Sequence, residues 1–201
     1  MSYTKKQTIL AAIFVSIMTI LAVILMNTAV SAETTAPTYT IPEGRYDKYL
    51  FVGDSRFVGM STYCKDDNVE YFAKSSQGLK WFNQNYDTIT SYRGYNIVIN
   101  LGVNDLYNLN KYIDTYNSFP EEFTENNNII LVSVNPCSGS HAYLNKDIEK
   151  FNDEVENNTS LYFEFINTYD YLNYKGFNTS DGVHYTKSTY QDIYNAIMYG
   201  F

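Results

Sequence analysis

Residues 49–56 read Tyr49-Leu50-Phe51-Val52-Gly53-Asp54-Ser55-Arg56, four apolar residues running straight into a polar cluster. Apolar residues without alternation indicate a strand covered on both faces, as in a parallel sheet. The pattern recurs at 69–72, 97–101, 129–134 and 162–166, several of these runs being rich in β-branched and aromatic residues. Between them lie segments of helical period. Leu79, Phe82, Tyr86 and Ile89 form one apolar stripe over 79–92, and Leu144, Ile148, Phe151 and Val155 form another over 144–155. A last helix is expected from near Thr186, with Ser188 and Gln191 as a capping box and Ile193, Ala196 and Ile197 on its buried side. This alternation predicts an α/β fold, a three-layer α/β/α sandwich around a five-stranded parallel sheet of flavodoxin-like type.

In such a sheet, ligands bind beyond the carboxyl ends of the strands. The first run is followed by Gly53-Asp54-Ser55-Arg56, and the second leads through Ser75-Ser76-Gln77 to Gly78. The third ends in Gly102-Val103-Asn104-Asp105, and Asp181-Gly182-Val183-His184 stands after the fifth, ahead of the last helix. Four polar clusters therefore converge on one rim. Taken singly, each reads as a turn or a helix cap. Taken together, they supply the parts of nucleophilic catalysis. A serine hydroxyl needs an adjacent base, and an aspartate three residues before a histidine can turn back to fix the imidazole tautomer. A backbone N–H at a helix start, a glycine and a side-chain amide are the donors an oxyanion requires.

The ordered set Gly-Asp-Ser, Gly-x-Asn-Asp and Asp-x-x-His resembles the SGNH (GDSL-like) hydrolase family over nearly the whole of 46–201. The resemblance implies Ser55 as nucleophile and Asp181 with His184 completing a triad. It also implies Ser55, Gly78 and Asn104 as the oxyanion hole, with no cofactor and no metal. Arg56 stands where the namesake motif has leucine, so analogy with lipase-like members weakens. The implied activity is hydrolysis of short acyl esters, O-acetyl above all, on carbohydrate through an acyl-serine intermediate. Transfer of the acyl group to a sugar by the same triad, and a non-catalytic glycan-binding module, are the alternatives.

The remaining features bound this reading. Lys5 and Lys6 precede an apolar stretch over 9–26 and small residues ending at Ala32, which fits a signal peptide over 1–32, with an uncleaved membrane anchor as the alternative. Either way the rest of the chain is expected outside the cytoplasm, secreted or held at the outer face of the membrane. Residues 33–45, with Pro37 and Pro42, read as an extended linker. A formal net charge of −8 argues against nucleic acid and against docking on anionic lipid. The partner expected is a small acyl ester or an acylated glycan, with the membrane involved only through an uncleaved N-terminal segment.

Cys64 and Cys137 are expected as two free thiols, one down the first helix and the other on the rim. Two histidines and no metal-ligand spacing make zinc improbable. Arg56 is expected to pair with an acid, or else to bind an acidic group on substrate; Trp81 to make a core or cap contact on its helix, or else to stack on a sugar near Gly78; and His141 to be a solvated loop residue, or else to line the pocket rim. Asn157, Asn158 and Asn178 match glycosylation sequons that this composition makes easy to meet by chance.

Overall fold

The computed structural model describes residues 35–201. The export segment expected over 1–32 lies outside these residues. Among the described residues no helix is long and apolar enough to cross a membrane.

Five parallel strands form one sheet: β1 (Lys48–Gly53), β2 (Val69–Ala73), β3 (Tyr95–Asn100), β4 (Asn128–Val132) and β5 (Glu164–Ile166). Their spatial order is β2-β1-β3-β4-β5. The order reverses at β1, so the crevice between the ends of β1 and β3 is where such a sheet places a ligand. Helices cover both faces, as the unalternating strands require. Leu50, Val52, Ile97, Ile99, Ile129 and Leu131 point into one core layer. Their neighbours Tyr49, Phe51, Val98, Ile130, Val132 and Ile166 point into the other.

The helices are α1 (Ser55–Tyr63), α2 (Leu79–Gln84), α3 (Tyr86–Ile89), α4 (Leu109–Asn117), α5 (Glu121–Glu125), α6 (Asn145–Asn158), α7 (Thr168–Lys175) and α8 (Lys187–Tyr199). Short 3-10 turns occupy Leu106–Asn108 and Gly139–Leu144.

Several boundaries differ from the sequence reading. The helix expected over 79–92 is broken at Asn85, whose side-chain amide donates to the Trp81 carbonyl at 2.8 Å and closes α2 locally. The expected capping box at Ser188 and Gln191 does not form. Thr186 is the N-cap of α8, so Ser188 already lies inside the helix, and no side chain caps the first turn. The fifth strand starts at Glu164, because Leu161 and Tyr162 are almost fully exposed and have no core to enter. Helices α4, α5 and α7 carry aromatic residues on apolar stripes too short to stand out by periodicity.

The segment read as a linker is in part docked. Tyr39 exchanges backbone hydrogen bonds with Phe201 at 2.6 and 3.0 Å, and Arg45 pairs with Glu164 and donates to the Ile197 carbonyl at 2.8 Å. From Ala36 onward it belongs to the compact unit Ala36–Phe201, with a turn at Glu43 and Gly44.

Candidate active site

Ser55 opens α1 immediately after β1. Asp54 is the N-cap, its Oδ1 accepting from the Arg56 N–H at 2.9 Å. That cap turns the chain sharply and leaves the Ser55 N–H in the first helical turn, where no intrahelical acceptor exists. His184 Nε2 lies 2.9 Å from Ser55 Oγ. His184 Nδ1 lies 2.7 Å from Asp181 Oδ2. The three side chains expected to act together are thus within hydrogen-bond reach in the order acid, base, nucleophile.

The turn that makes this possible is short. Asp181 Oδ1 accepts from the Val183 and His184 N–H groups at 2.9 and 2.8 Å, so the carboxylate folds its own loop while Oδ2 stays aimed at the imidazole. Gly182 takes a φ of +93°, which a residue with a Cβ would adopt only under strain. The backbone bond from His184, its imidazole and the Val183 N–H together hold the Asp181 carboxyl far below the ordinary carboxylate range. It remains an anion, able to orient the ring and to stabilise an imidazolium.

Gly78 and Asn104, expected on the oxyanion side, stand on the loops after β2 and β3. Gly78 is the N-cap of α2. A Cβ there would overlap the Asp105 carboxyl, so only glycine lets this backbone come so close. Asp105 is the residue that the sequence reading passed over. Its Oδ2 accepts from the Leu79 N–H at 3.0 Å and from Asn108 Nδ2 at 3.1 Å, and its Oδ1 accepts from the buried Tyr112 hydroxyl at 2.6 Å. One carboxylate therefore caps α2 and fixes the Gly78 peptide. The signal available was its place beside Asn104, but nothing in sequence paired it with a helix 26 residues earlier.

Asn104 is at the rim, as expected, and its amide is engaged. Nδ2 donates to the Gln77 carbonyl at 2.7 Å and, more weakly, to Asp54 Oδ2 at 3.3 Å. It thereby ties the Gly78 loop to the N-cap of the nucleophile helix. Ser76 in this loop has φ +61°, the one positive value at a non-glycine residue among those described. Such a backbone costs on the order of 1 kcal/mol or more and persists where its surroundings hold it. Asp54 is itself buried, which raises its carboxyl above the ordinary value against the pull of Arg56.

Other sequence expectations fare differently. Cys64 and Cys137 are both free and both buried, as expected. Arg56 pairs with no acid. It is 2% exposed, so it neither reaches solvent nor presents a charge to a substrate, and its guanidinium bonds carbonyl oxygens and a thiol instead. His141 is half-buried rather than solvated, because the 3-10 turn folds its ring against Gly182. Trp81 makes the expected packing contact, stacking on Phe72 with ring centroids 5.5 Å apart. It also lines a cleft of about 350 Å³ together with Gln77, Gly78, Lys80, Gln84 and Asn104. Among the described residues no cluster of His, Cys, Asp and Glu is arranged to hold a metal ion.

No protein-family model matches the sequence, and no curated protein matches it. Solved structures do. A member of the lipolytic protein G-D-S-L family from Veillonella parvula aligns at 14% identity with a TM-score of 0.59, over 75% of this chain and 96% of that one. A lipase/acylhydrolase from Enterococcus faecalis aligns at 15% identity and 0.56, over 75% and 92%. The C-terminal catalytic domain of a Streptococcus pneumoniae peptidoglycan O-acetyltransferase aligns at 19% and 0.56, over 77% and 94%. At these identities the likeness is one of architecture, and that architecture, a five-stranded parallel sheet between two helical layers, is the SGNH (GDSL-like) hydrolase fold.

Proposed function

We propose that this protein is a serine esterase that removes short acyl groups, O-acetyl above all, from carbohydrate. One observation carries the reading: Asp181, His184 and Ser55 form a continuous hydrogen-bonded relay, 2.7 and 2.9 Å, at the ligand-binding edge of the sheet. Ser55 Oγ attacks the ester carbonyl while His184 Nε2 takes its proton. The ionised Asp181 stabilises the resulting imidazolium. The N–H groups of Ser55 and Gly78 donate to the developing oxyanion. As charge builds there, the Asn104 amide exchanges its long bond to Asp54 for the substrate oxygen. His184 then protonates the leaving alcohol, the acyl group stays on Ser55 Oγ, and water activated by the same imidazole releases it.

Carbohydrate as the alcohol side is supported by the cleft beside Gly78. An indole face with amide and ammonium groups around it suits a ring that is apolar on its faces and hydroxylated at its edges. The expected export of the chain is consistent with such a substrate. Transfer to a sugar hydroxyl differs only in the acceptor that meets the acyl-serine, and the O-acetyltransferase domain among the likenesses makes this the rival reading.

A fluorophosphonate probe followed by peptide mapping tests the reading. Labelling of Ser55 that Ser55→Ala abolishes is expected. An unlabelled, intact protein would return the site to a binding role. Incubating an acetyl donor with an oligosaccharide then separates hydrolysis, which yields free acetate, from transfer, which yields acetylated sugar.

A further inference from the structure

Arg56 is the largest fully buried side chain among the described residues. A guanidinium stays charged at any ordinary pH, and a buried charge is costly unless its hydrogen bonds are made. Among the described residues no carboxylate lies within ion-pair distance of Arg56. Its fork is spent on three other partners. Nη1 donates to the Asn135 carbonyl at 2.9 Å, Nη2 to Cys137 Sγ at 3.2 Å and Nε to the Val183 carbonyl at 3.3 Å. The guanidinium carbon also lies 5.3 Å from the centre of the Tyr185 ring.

The positions of these partners give the arrangement its meaning. Arg56 follows the nucleophile directly, while Val183 and Tyr185 flank the base on either side. The third anchor, the loop after β4, is itself rigid. Asn152 clamps the N–H and carbonyl of Val134 at 2.7 and 2.9 Å, and Asn145 does the same for Cys137 at 2.8 and 3.0 Å. The base turn touches this loop twice more, where Gly182 accepts from the Ser138 N–H at 2.8 Å and Tyr185 donates to the Pro136 carbonyl at 2.5 Å.

We propose that Arg56 is the positioning residue that sets the Ser55–His184 separation, locking the base-bearing turn and the β4 loop onto the first turn of the nucleophile helix. It acts through Val183 and Tyr185 and touches no substrate. Lysine cannot replace it, because one ammonium cannot direct donors along three fixed directions to acceptors on two separate loops. For its kinetic readout this inference rests on the esterase reading; for its spectroscopic readout it does not.

The test compares Arg56→Lys and Arg56→Met with Phe123→Leu, a buried substitution on α5 that supplies a loss of stability away from the site. Turnover of 4-nitrophenyl acetate and the downfield proton resonance of the His184 Nδ1–H bonded to Asp181 are measured where circular dichroism shows each variant folded. Because a misplacement near 1 Å costs roughly 100-fold, kcat should fall by about 10-fold in Arg56→Lys and about 100-fold in Arg56→Met, with KM within about threefold. The downfield resonance should broaden or vanish in Arg56→Met and persist in Phe123→Leu. Three results would overturn the proposal: kcat within about twofold with an unmoved resonance in Arg56→Met, a raised KM at unchanged kcat, or an equal kcat loss in Phe123→Leu at matched stability. If Arg56→Met does not fold, the Arg56→Lys variant decides by the same readouts. A wild-type protein that cleaves no ester while showing the resonance would defeat the esterase reading alone, and the spectra would still decide the role of Arg56.

Discussion

On the Ser55 side of the proposed site the atoms assigned to the chemistry belong to side chains, and each is aimed by another side chain: His184 by Asp181, and the turn that carries both by Arg56. On the Gly78 side the donors proposed for an oxyanion are one main-chain N–H, that of Gly78, and the Asn104 amide. Asn104 holds the Gly78 loop through the Gln77 carbonyl, and the Asp105 carboxylate holds it through the Leu79 N–H. The reacting side chains of the first half are open, with His184 and Asp181 40% and 54% exposed, whereas the supports of both halves are buried, Arg56 at 2% and Asp105 at 9% exposure, the latter hydrogen-bonded through both oxygens. The chemistry explains the contrast. A general base must be able to gain and lose a proton and to meet water, so exposure serves it. An oxyanion donor does best when it is fixed before the charge arrives, so burial of its support serves that half.

If this division is right, damage to the open half should be the more severe. Ser55→Ala should lower ester turnover by about 10⁴-fold or more, to the level that oxyanion and binding contacts alone sustain. The melting temperature should hardly move, since a half-exposed hydroxyl contributes little packing. A purified Ser55→Ala protein with normal kcat would break the comparison outright. Asp181→Asn should cost about 10³–10⁴-fold, because the amide favours the wrong imidazole tautomer.

That variant also carries a pH signature. A carboxyl held below its unfolded value near 3.9 gives stabilisation that is complete above that pH and is lost as pH falls through the lower, folded value. Asp181 therefore stays ionised across the working range, and the stability gap between the wild type and Asp181→Asn should narrow as pH falls below about 3.9, a change that denaturant unfolding measures.

Gly78→Ala tests the other half. Its Cβ would collide with the Asp105 carboxyl, and the loop must yield because both carboxylate oxygens are already bonded. Losing the alignment of one oxyanion donor corresponds to about 10²–10³-fold in kcat, or roughly 3–4 kcal/mol. Fluorophosphonate labelling of Ser55 should slow in parallel, while the His184–Asp181 resonance stays in place. Tyr112→Phe is gentler. It takes one hydrogen bond from Asp105 and should cost about 1–3 kcal/mol of stability, measured by denaturant unfolding, with only a severalfold loss in rate.

The same contrast governs what the sequence discloses. Ser55, Asp181 and His184 are legible because their chemistry resides in residue type and short spacing, and the sheet is legible because strands buried on two faces lose alternation. Asp105, Arg56 and Asn145 are not, because their roles consist of long-range bonds to backbone atoms that no local pattern encodes. Arg56 shows the point well. An arginine on a chain with 22 acidic and 14 basic residues suggests an ion pair, yet its neighbours turned out to be carbonyls, a thiol and a ring. The break at Asn85 has the same origin, since a side chain that closes one turn does not disturb the apolar period around it.

The smallest effect expected concerns acyl length, and it sharpens the comparison at the point where the two halves face the substrate. Each buried methylene contributes about 0.8 kcal/mol, so a site selective for long chains needs a continuous apolar wall leading from the nucleophile. Beside the oxyanion half, the cleft is lined by Ser76, Gln77, Lys80, Gln84 and Asn104, with Trp81 as its aromatic surface. Beside the nucleophile half, Val183 is partly buried and already packed on the core, and the Tyr185 ring is spent on Arg56. A chain beyond a few carbons would lie against amides and an ammonium group and gain little from each added methylene. Acetyl and butyryl esters should therefore turn over severalfold faster than decanoyl ones in kcat/KM across a 4-nitrophenyl series, roughly the scale of one or two methylenes' worth of burial forgone. An optimum at eight carbons or more would mean that one half of the site opens onto an apolar surface on binding, and the polar-cleft reading would have to be given up.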